Sequence, residues 1–289
     1  MALIISFANE ASQNFENSMK KWGYDYQIIG QGVQWKGFIS TRVNHYISFL
    51  GKIIGEDQHH LVILVDCFDV LACGPPTELL SKYKQYFKDQ VVIGGETFCT
   101  TGGKIPRYRL NNFWAGRERP SRNSNVNAGF IMGPPDRIYK ILVDISSNPT
   151  TDDDQYELAK YIDETKPIDV SIDTDYKIIA NDMGYNHHFF IFSDGRISFT
   201  PTGENPCFIH LPTSKIDFNV RYNYYGRKIL GSLFNSISYY PYKNKIIIWS
   251  AVVITISIIL YLINRRLGMS FLIIFLLGIL YYTGGFTLI

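Results

Sequence analysis

Short apolar runs and amphipathic segments alternate along most of the chain. Leu3 to Ala8 reads as a strand, and Glu10 to Lys21 as a helix closed at Trp22-Gly23. Tyr26 to Ile29 is a second strand, Gly30 to Gly37 a glycine-rich loop, and Thr41 to Ile54 a helix. Leu61 to Val65 (LVILV) is unbroken and apolar, the pattern of a strand covered on both faces. Thr77 to Phe87 fits a helix, Val91 to Ile93 a strand, and Thr100 to Asn125 a long polar loop. Val126 to Met132 is a strand, followed by helices over Asp136 to Ser146 and Asp152 to Tyr161. Ile168 to Ile172 and His188 to Phe192 close the series as late strands. Strands alternating with helices predict an α/β domain with a mainly parallel sheet.

The pattern changes at the C-terminal end. From 246 to 289 the only charges are Arg265 and Arg266. Ile246 to Asn264 is long enough to cross a bilayer core, which takes about 20 apolar residues. Leu267 to Ile289 is a second uncharged run, weakened by Gly278, Gly284 and Gly285, and is read as a further span. Two buried core helices are the alternative, ranked lower because soluble cores seldom hold two such runs side by side. Lys243, Lys245, Arg227 and Lys228 precede the first run, and the positive-inside rule then places the domain on the cytosolic face. The expected organisation is a domain over 1–228, a Tyr-rich juxtamembrane connector over 229–245, and spans over 246–264 and 267–289.

Composition narrows the function. Over 289 residues, 28 Lys+Arg face 26 Asp+Glu, which argues against a broad basic surface for nucleic acid. The four cysteines form no C-x-x-C pair, so neither a zinc site nor a disulfide framework is expected.

The strongest local signal is Val65-Asp66-Cys67-Phe68-Asp69-Val70, which sets two carboxylates at the end of a buried strand. Ligands of open α/β sheets bind beyond the carboxyl ends of the strands. Two such acids repel unless a cation lies between them, and hard oxygen ligands suit Mg2+ or Mn2+ together with a diphosphate. On the motif alone, a turn capped by Asp69 is an equal reading. His210 follows two apolar residues, and Lys215 lies beyond a Pro-Thr-Ser turn. A lone His in such a setting is more often core; here it is also placed to complete a metal shell, with Lys215 near a leaving phosphate. Asp153 and Asp154 start a helix, either as caps or as groups facing a sugar or acceptor. Asn127 is a turn residue or an amide gripping a sugar, Glu96 follows Gly94-Gly95, and Trp35 lids a pocket or packs.

Asp66 to Asp69 followed by Gly74-Pro75-Pro76-Thr77-Glu78-Leu79-Leu80 resembles the glycosyltransferase domain of procollagen lysyl hydroxylases and the wider collagen-type glycosyltransferases, viral copies included. Matches recur in the same order at Gln34 to Gly37, Gly95-Glu96 with Cys99, Val126 to Ile131, Asp153 to Gln155, Asp173 to Asn181 and His210 to Lys215. They span roughly residues 1–228. The resemblance implies a Rossmann-like GT-A fold, a UDP-sugar donor and Mn2+ (or Mg2+). It assigns Asp66, Asp69 and His210 to the metal, Phe68 to the uracil, Trp35 to the loop over the nucleotide, and Lys215 to the diphosphate. Asn127, Asp153 and Asp154 then face sugar and acceptor, and Glu96 belongs to the donor site. Two departures stand out: the segment before Lys215 lacks the family's glycines and is one residue shorter, and Thr100 replaces a Trp. No iron and 2-oxoglutarate domain is expected.

The implied activity is hexose transfer from a UDP-sugar to a hydroxyl of a protein, glycan or lipid. Lys215 or Arg42 adds positive charge, and Asp153 or Asp154 serves as base if the course inverts. The partners expected are the donor, the acceptor, the membrane and a further copy of the chain. The rival readings are an inactive glycosyltransferase-like membrane scaffold and another Mg2+-dependent enzyme, the latter disfavoured by the ordered set of matches.

Overall fold

The computed structural model describes residues 2–10, 12–55, 60–96, 125–182, 190–193 and 196–212, with Thr255 and Tyr261. Its frame is a six-stranded sheet. β1 (Ala2–Phe7), β2 (Asp25–Ile29), β3 (Leu61–Asp66), β5 (Val91–Glu96) and β7 (Val170–Asp173) run in one direction, and β6 (Asn125–Gly133) runs against them. The order across the sheet is β2-β1-β3-β6-β5-β7. The fold is therefore α/β with a mostly parallel sheet, as predicted, and β6 is the exception.

Continuous apolar runs form the central strands because both faces are covered. Ala2 and Ile4 of β1, with Leu61, Ile63 and Val65 of β3, face one core with Phe15 and Met19 of α1 (Gln13–Trp22) and Leu79 and Tyr83 of α3 (Pro76–Tyr86). Leu3, Ile5, Val62 and Leu64 face the other, shared with α2 (Asn44–Ile53), α4 (Pro135–Ser147) and α5 (Asp154–Thr165). Each fully buried side chain of this kind contributes about 1.5–3 kcal/mol. Gly23 ends α1 in the left-handed region (φ 74°), its N–H meeting the carbonyls of Lys20 and Met19.

A smaller sheet lies alongside. In it β11 (Phe208–His210) runs between β4 (Val70–Ala72), antiparallel, and β8 (Ile179–Asn181), parallel. β9 (Phe190–Ser193) and β10 (Arg196–Phe199) form a separate antiparallel pair. Of these short strands the sequence pattern marks only β9, since three- and four-residue segments carry too little periodicity.

Several boundaries move, among them those of the helices predicted over Glu10 to Lys21 (Gln13–Trp22) and Asp152 to Tyr161 (Asp154–Thr165). The helix predicted from Thr41 begins as a π-helical run, Phe38–Val43, before α2. Its early start is supported from elsewhere in the chain: the Ser40 N–H donates to Asp152 Oδ1 at 3.0 Å. The strand predicted from Ile168 starts at Val170 instead, and Ile168 is exposed. Among the described residues no helix is long and apolar enough to cross a membrane. The predicted spans and connector lie outside the described residues, apart from Thr255 and Tyr261, as do His188 and the loop predicted over Thr100 to Asn125, apart from Asn125, which opens β6.

Candidate active site

The parallel strands end on one edge, and most of the predicted site residues in the described part of the chain gather there. Asp66 closes β3 and is paired across the ladder with Phe7 at the end of β1. The turn through Cys67, Phe68 and Asp69 leads into β4, where Val70 pairs with His210 of β11. The Leu211 N–H donates to the Asp69 carbonyl at 2.8 Å, and the Asp182 N–H to the His210 carbonyl at 2.9 Å. The small sheet thus carries a histidine from far along the chain to the acidic turn. Its imidazole rests on Gly129, where an added Cβ would stand 2.3 Å from His210 Cε1. Only glycine leaves room for the ring.

Asp66, Asp69 and His210 offer ligand atoms that all lie within 4.8 Å of one another. His210 Nε2 is 3.3 Å from Asp69 Oδ2 and 3.8 Å from Asp66 Oδ2. That nitrogen is buried and makes no hydrogen bond among the described residues. The other ring nitrogen, Nδ1, lies 2.8 Å from Asn181 Oδ1. Burial disfavours charge on His210, but Asp69 and Asp66 outweigh it and leave the imidazole more basic than usual. Burial, with the like charge of Asp69, pushes Asp66 up despite Arg42 and His210. Proton uptake is one answer to two crowded carboxylates, and a divalent cation is the other.

Arg42, delivered by the π-helical run, is the buried cation next to this group. It pairs with Asp66 through one guanidinium nitrogen and with Asp154 through two, Nε–Oδ2 being 3.0 Å. Burial opposes its charge, yet Asp154 and Asp66 raise its pKa further, so it stays protonated. The two predicted acceptor-side acids therefore occupy different places. Asp154 is buried against Arg42, whereas half-buried Asp153 caps α5 by accepting the Tyr156 N–H at 3.0 Å.

Glu96 and Asn127 are joined directly. Asn127 Nδ2 donates to Glu96 Oε2 at 2.8 Å, and Gln155 Nε2 donates to Glu96 Oε1 at 3.1 Å. Gln155 Oε1 accepts from the Ala128 N–H, and Asn127 Oδ1 from the Gly129 N–H. A fully buried carboxylate thus fixes the strand that supports His210. Exposed aromatics border the same edge. Trp35 and Phe38 are each 44% exposed and meet edge to face at 5.1 Å, while Phe68 is 43% exposed. The Arg42 guanidinium lies 5.0 Å from the Phe38 ring centre. Lys215 lies outside the described residues, as do Cys99 and Thr100. Sequence reasoning missed Asn181 and Phe38, and it placed Gly129 in a strand without a role beside His210. Asn181 falls inside a matched segment, but nothing local ties it to His210.

The family profile described as the PLOD GT domain matches residues 3–232. The chain belongs to this family. It is a glycosyltransferase-type domain, in line with the motifs read from the sequence. It is similar to human procollagen-lysine,2-oxoglutarate 5-dioxygenase 2, at 27% identity over 184 residues, covering 61% of this chain and 24% of that protein. It is also similar to the human multifunctional procollagen lysine hydroxylase and glycosyltransferase LH3, at 24% identity over 184 residues with the same coverage. The chain thus spans about a quarter of the length of these relatives. A glycosyltransferase involved in glycosylation of the major capsid of PBCV-1 aligns with 77% of this chain and 98% of its own, at 12% identity and a TM-score of 0.48.

Proposed function

We propose that this domain transfers a hexose from a UDP-sugar to a hydroxyl acceptor, with Mn2+ or Mg2+ held by Asp66, Asp69 and His210. The observation that carries the reading is the buried Nε2 of His210, without a hydrogen bond among the described residues and directed at two carboxylates. A hard cation suits that donor set, and Gly129 reserves the space the imidazole needs. When bound, such an ion supplies positive charge against the diphosphate leaving group. The chain's own groups do the rest. Trp35 and Phe68 offer exposed rings for the base, as the resemblance assigns them. Glu96 and Asn127, hydrogen-bonded to each other, are assigned to the donor side and Lys215 to the diphosphate by resemblance alone.

In the proposed reaction the acceptor oxygen attacks the anomeric carbon. The carbon–oxygen bond to the β-phosphate breaks, UDP leaves with that electron pair, and the hydroxyl proton passes to a base or to solvent. For an inverting course we assign the base to Asp153 rather than Asp154, because Asp154 is committed to Arg42. The acceptor class is a protein, glycan or lipid hydroxyl. LH3 carries both lysine hydroxylation and glycosyl transfer in its name, which favours a hydroxylysine-type acceptor. On sequence pattern we also propose membrane attachment through 246–264 and 267–289 with the domain on the cytosolic side, tested by carbonate extraction and protease protection.

The deciding experiment is UDP release from a panel of UDP-sugars in Mn2+. Wild type is expected to hydrolyse at least one donor slowly without acceptor, and Asp69→Asn and Asp66→Ala to lose this activity. Retained hydrolysis in both variants would overturn the metal assignment. Absence of UDP binding by the wild type would favour a scaffold.

A further inference from the structure

The hydrogen bonds around Asn181 decide which nitrogen of His210 faces the carboxylates. The Gly95 carbonyl oxygen can only accept, and it lies 2.7 Å from Asn181 Nδ2, so the amide nitrogen must point there. Asn181 Oδ1 is then the atom 2.8 Å from His210 Nδ1. Two acceptors at that distance would repel, so Nδ1 carries a hydrogen. In a neutral imidazole the lone pair therefore sits on Nε2, the atom directed at Asp66 and Asp69.

The backbone leaves this amide little freedom. Asn181 and His210 are register partners in the parallel β8–β11 pair. Asn181 is fully buried, and the Tyr176 O–H donates to its carbonyl at 3.1 Å. We propose that Asn181 is the positioning residue of the metal centre: its side chain ties β5 to β11 and fixes His210 as an Nε2 ligand. This inference rests on the metal reading above and deepens it. Accepting the Nδ1 hydrogen fixes the ring plane and makes the ligating nitrogen a better donor.

The test uses the full chain labelled with 15N-histidine and loaded with Cd2+, a diamagnetic stand-in for Mn2+. Two-bond proton–nitrogen spectra are expected to report one histidine ligated through Nε2 with Nδ1 protonated. Ligation through Nδ1 overturns the proposal, whereas failure of the wild type to bind Cd2+ or Mn2+ overturns the metal reading itself. In parallel, Mn2+ affinity is measured by calorimetry for Asn181→Leu and Asn181→Asp. Asn181→Leu is expected to weaken binding by about 10–100-fold, and Asn181→Asp, measured at a pH where the buried carboxyl is protonated so that it donates to the Gly95 carbonyl and keeps an acceptor opposite Nδ1, to recover most of that loss. A folded Asn181→Leu with wild-type affinity, or an Asn181→Asp no better than a weakened Asn181→Leu, sinks the idea. If Asn181→Leu does not fold, the nitrogen spectrum of the wild type decides.

Discussion

At the scale of single residues, Gly129 and His210 form one unit. The ring occupies the volume a β-carbon would claim, so Gly129→Ala forces either the strand or the imidazole to move. Forced overpacking of this kind costs about 1–3 kcal/mol. Gly129→Ala is expected to weaken Mn2+ binding by at least about tenfold while the chain still folds, read by calorimetry beside circular dichroism. Gly51→Ala is the matching control: it lies on α2, its new methyl would stand 3.5 Å from Tyr139, and no metal effect is expected. A Gly129→Ala protein that binds Mn2+ like wild type would show that His210 is not a ligand. Asp66 and Asp69 also differ at this scale. Asp66 is paired with Arg42 as well as lying near His210, so removing it leaves a buried guanidinium short of a partner. Asp69→Asn is therefore the cleaner probe of the metal.

At the scale of elements, the link from β7 to β8 is organised by one carboxylate. Asp173 accepts the backbone N–H groups of Lys177, Ile178 and Ile179 at 2.9, 2.7 and 2.9 Å. Burial raises its pKa to about 6 despite those bonds. An unfolded Asp titrates near about 3.9, so between these values the folded chain holds a proton the unfolded chain has released. Its contribution to stability is fully present below the unfolded value and is lost as pH rises through about 6, a change of about 3 kcal/mol at most. Urea midpoints compared from pH 4 to 7 should fall more for wild type than for Asp173→Asn. Parallel curves for the two proteins would remove Asp173 as the cause. The turn bears on the proposed metal centre because it sets the start of β8, and β8 carries Asn181.

At the scale of the whole molecule, the site draws on both sheets. β3 and the turn after it supply the acids, β6 the glycine seat, β8 the amide and β11 the imidazole. A ligand spanning such distant segments stabilises the folded state by mass action, by about 2.7 kcal/mol at a concentration 100 times its Kd. For a domain of this size that corresponds to a rise in Tm of roughly 5–11 °C. Saturating Mn2+ is expected to produce a shift of this order in wild type and none in Asp69→Asn, with UDP adding to it only when Mn2+ is present. Equal shifts in both proteins would place the binding elsewhere on the molecule.

The sequence by itself determined the layered α/β architecture, because short apolar runs alternating with amphipathic helical segments suit strands covered on both faces. It also marked Asp66, Asp69 and His210, and the motifs around them were enough to place the chain among its relatives. Only tertiary structure decided how these residues act. Asp153 and Asp154 are neighbours in the chain, yet one caps a helix and the other neutralises Arg42, because a helix turns adjacent side chains onto different faces. The bond between His210 and Asn181 joins two strands of three residues each, too short to leave a periodic trace. What brings them together is hydrogen-bonded register between segments far apart in the chain, which no local pattern encodes.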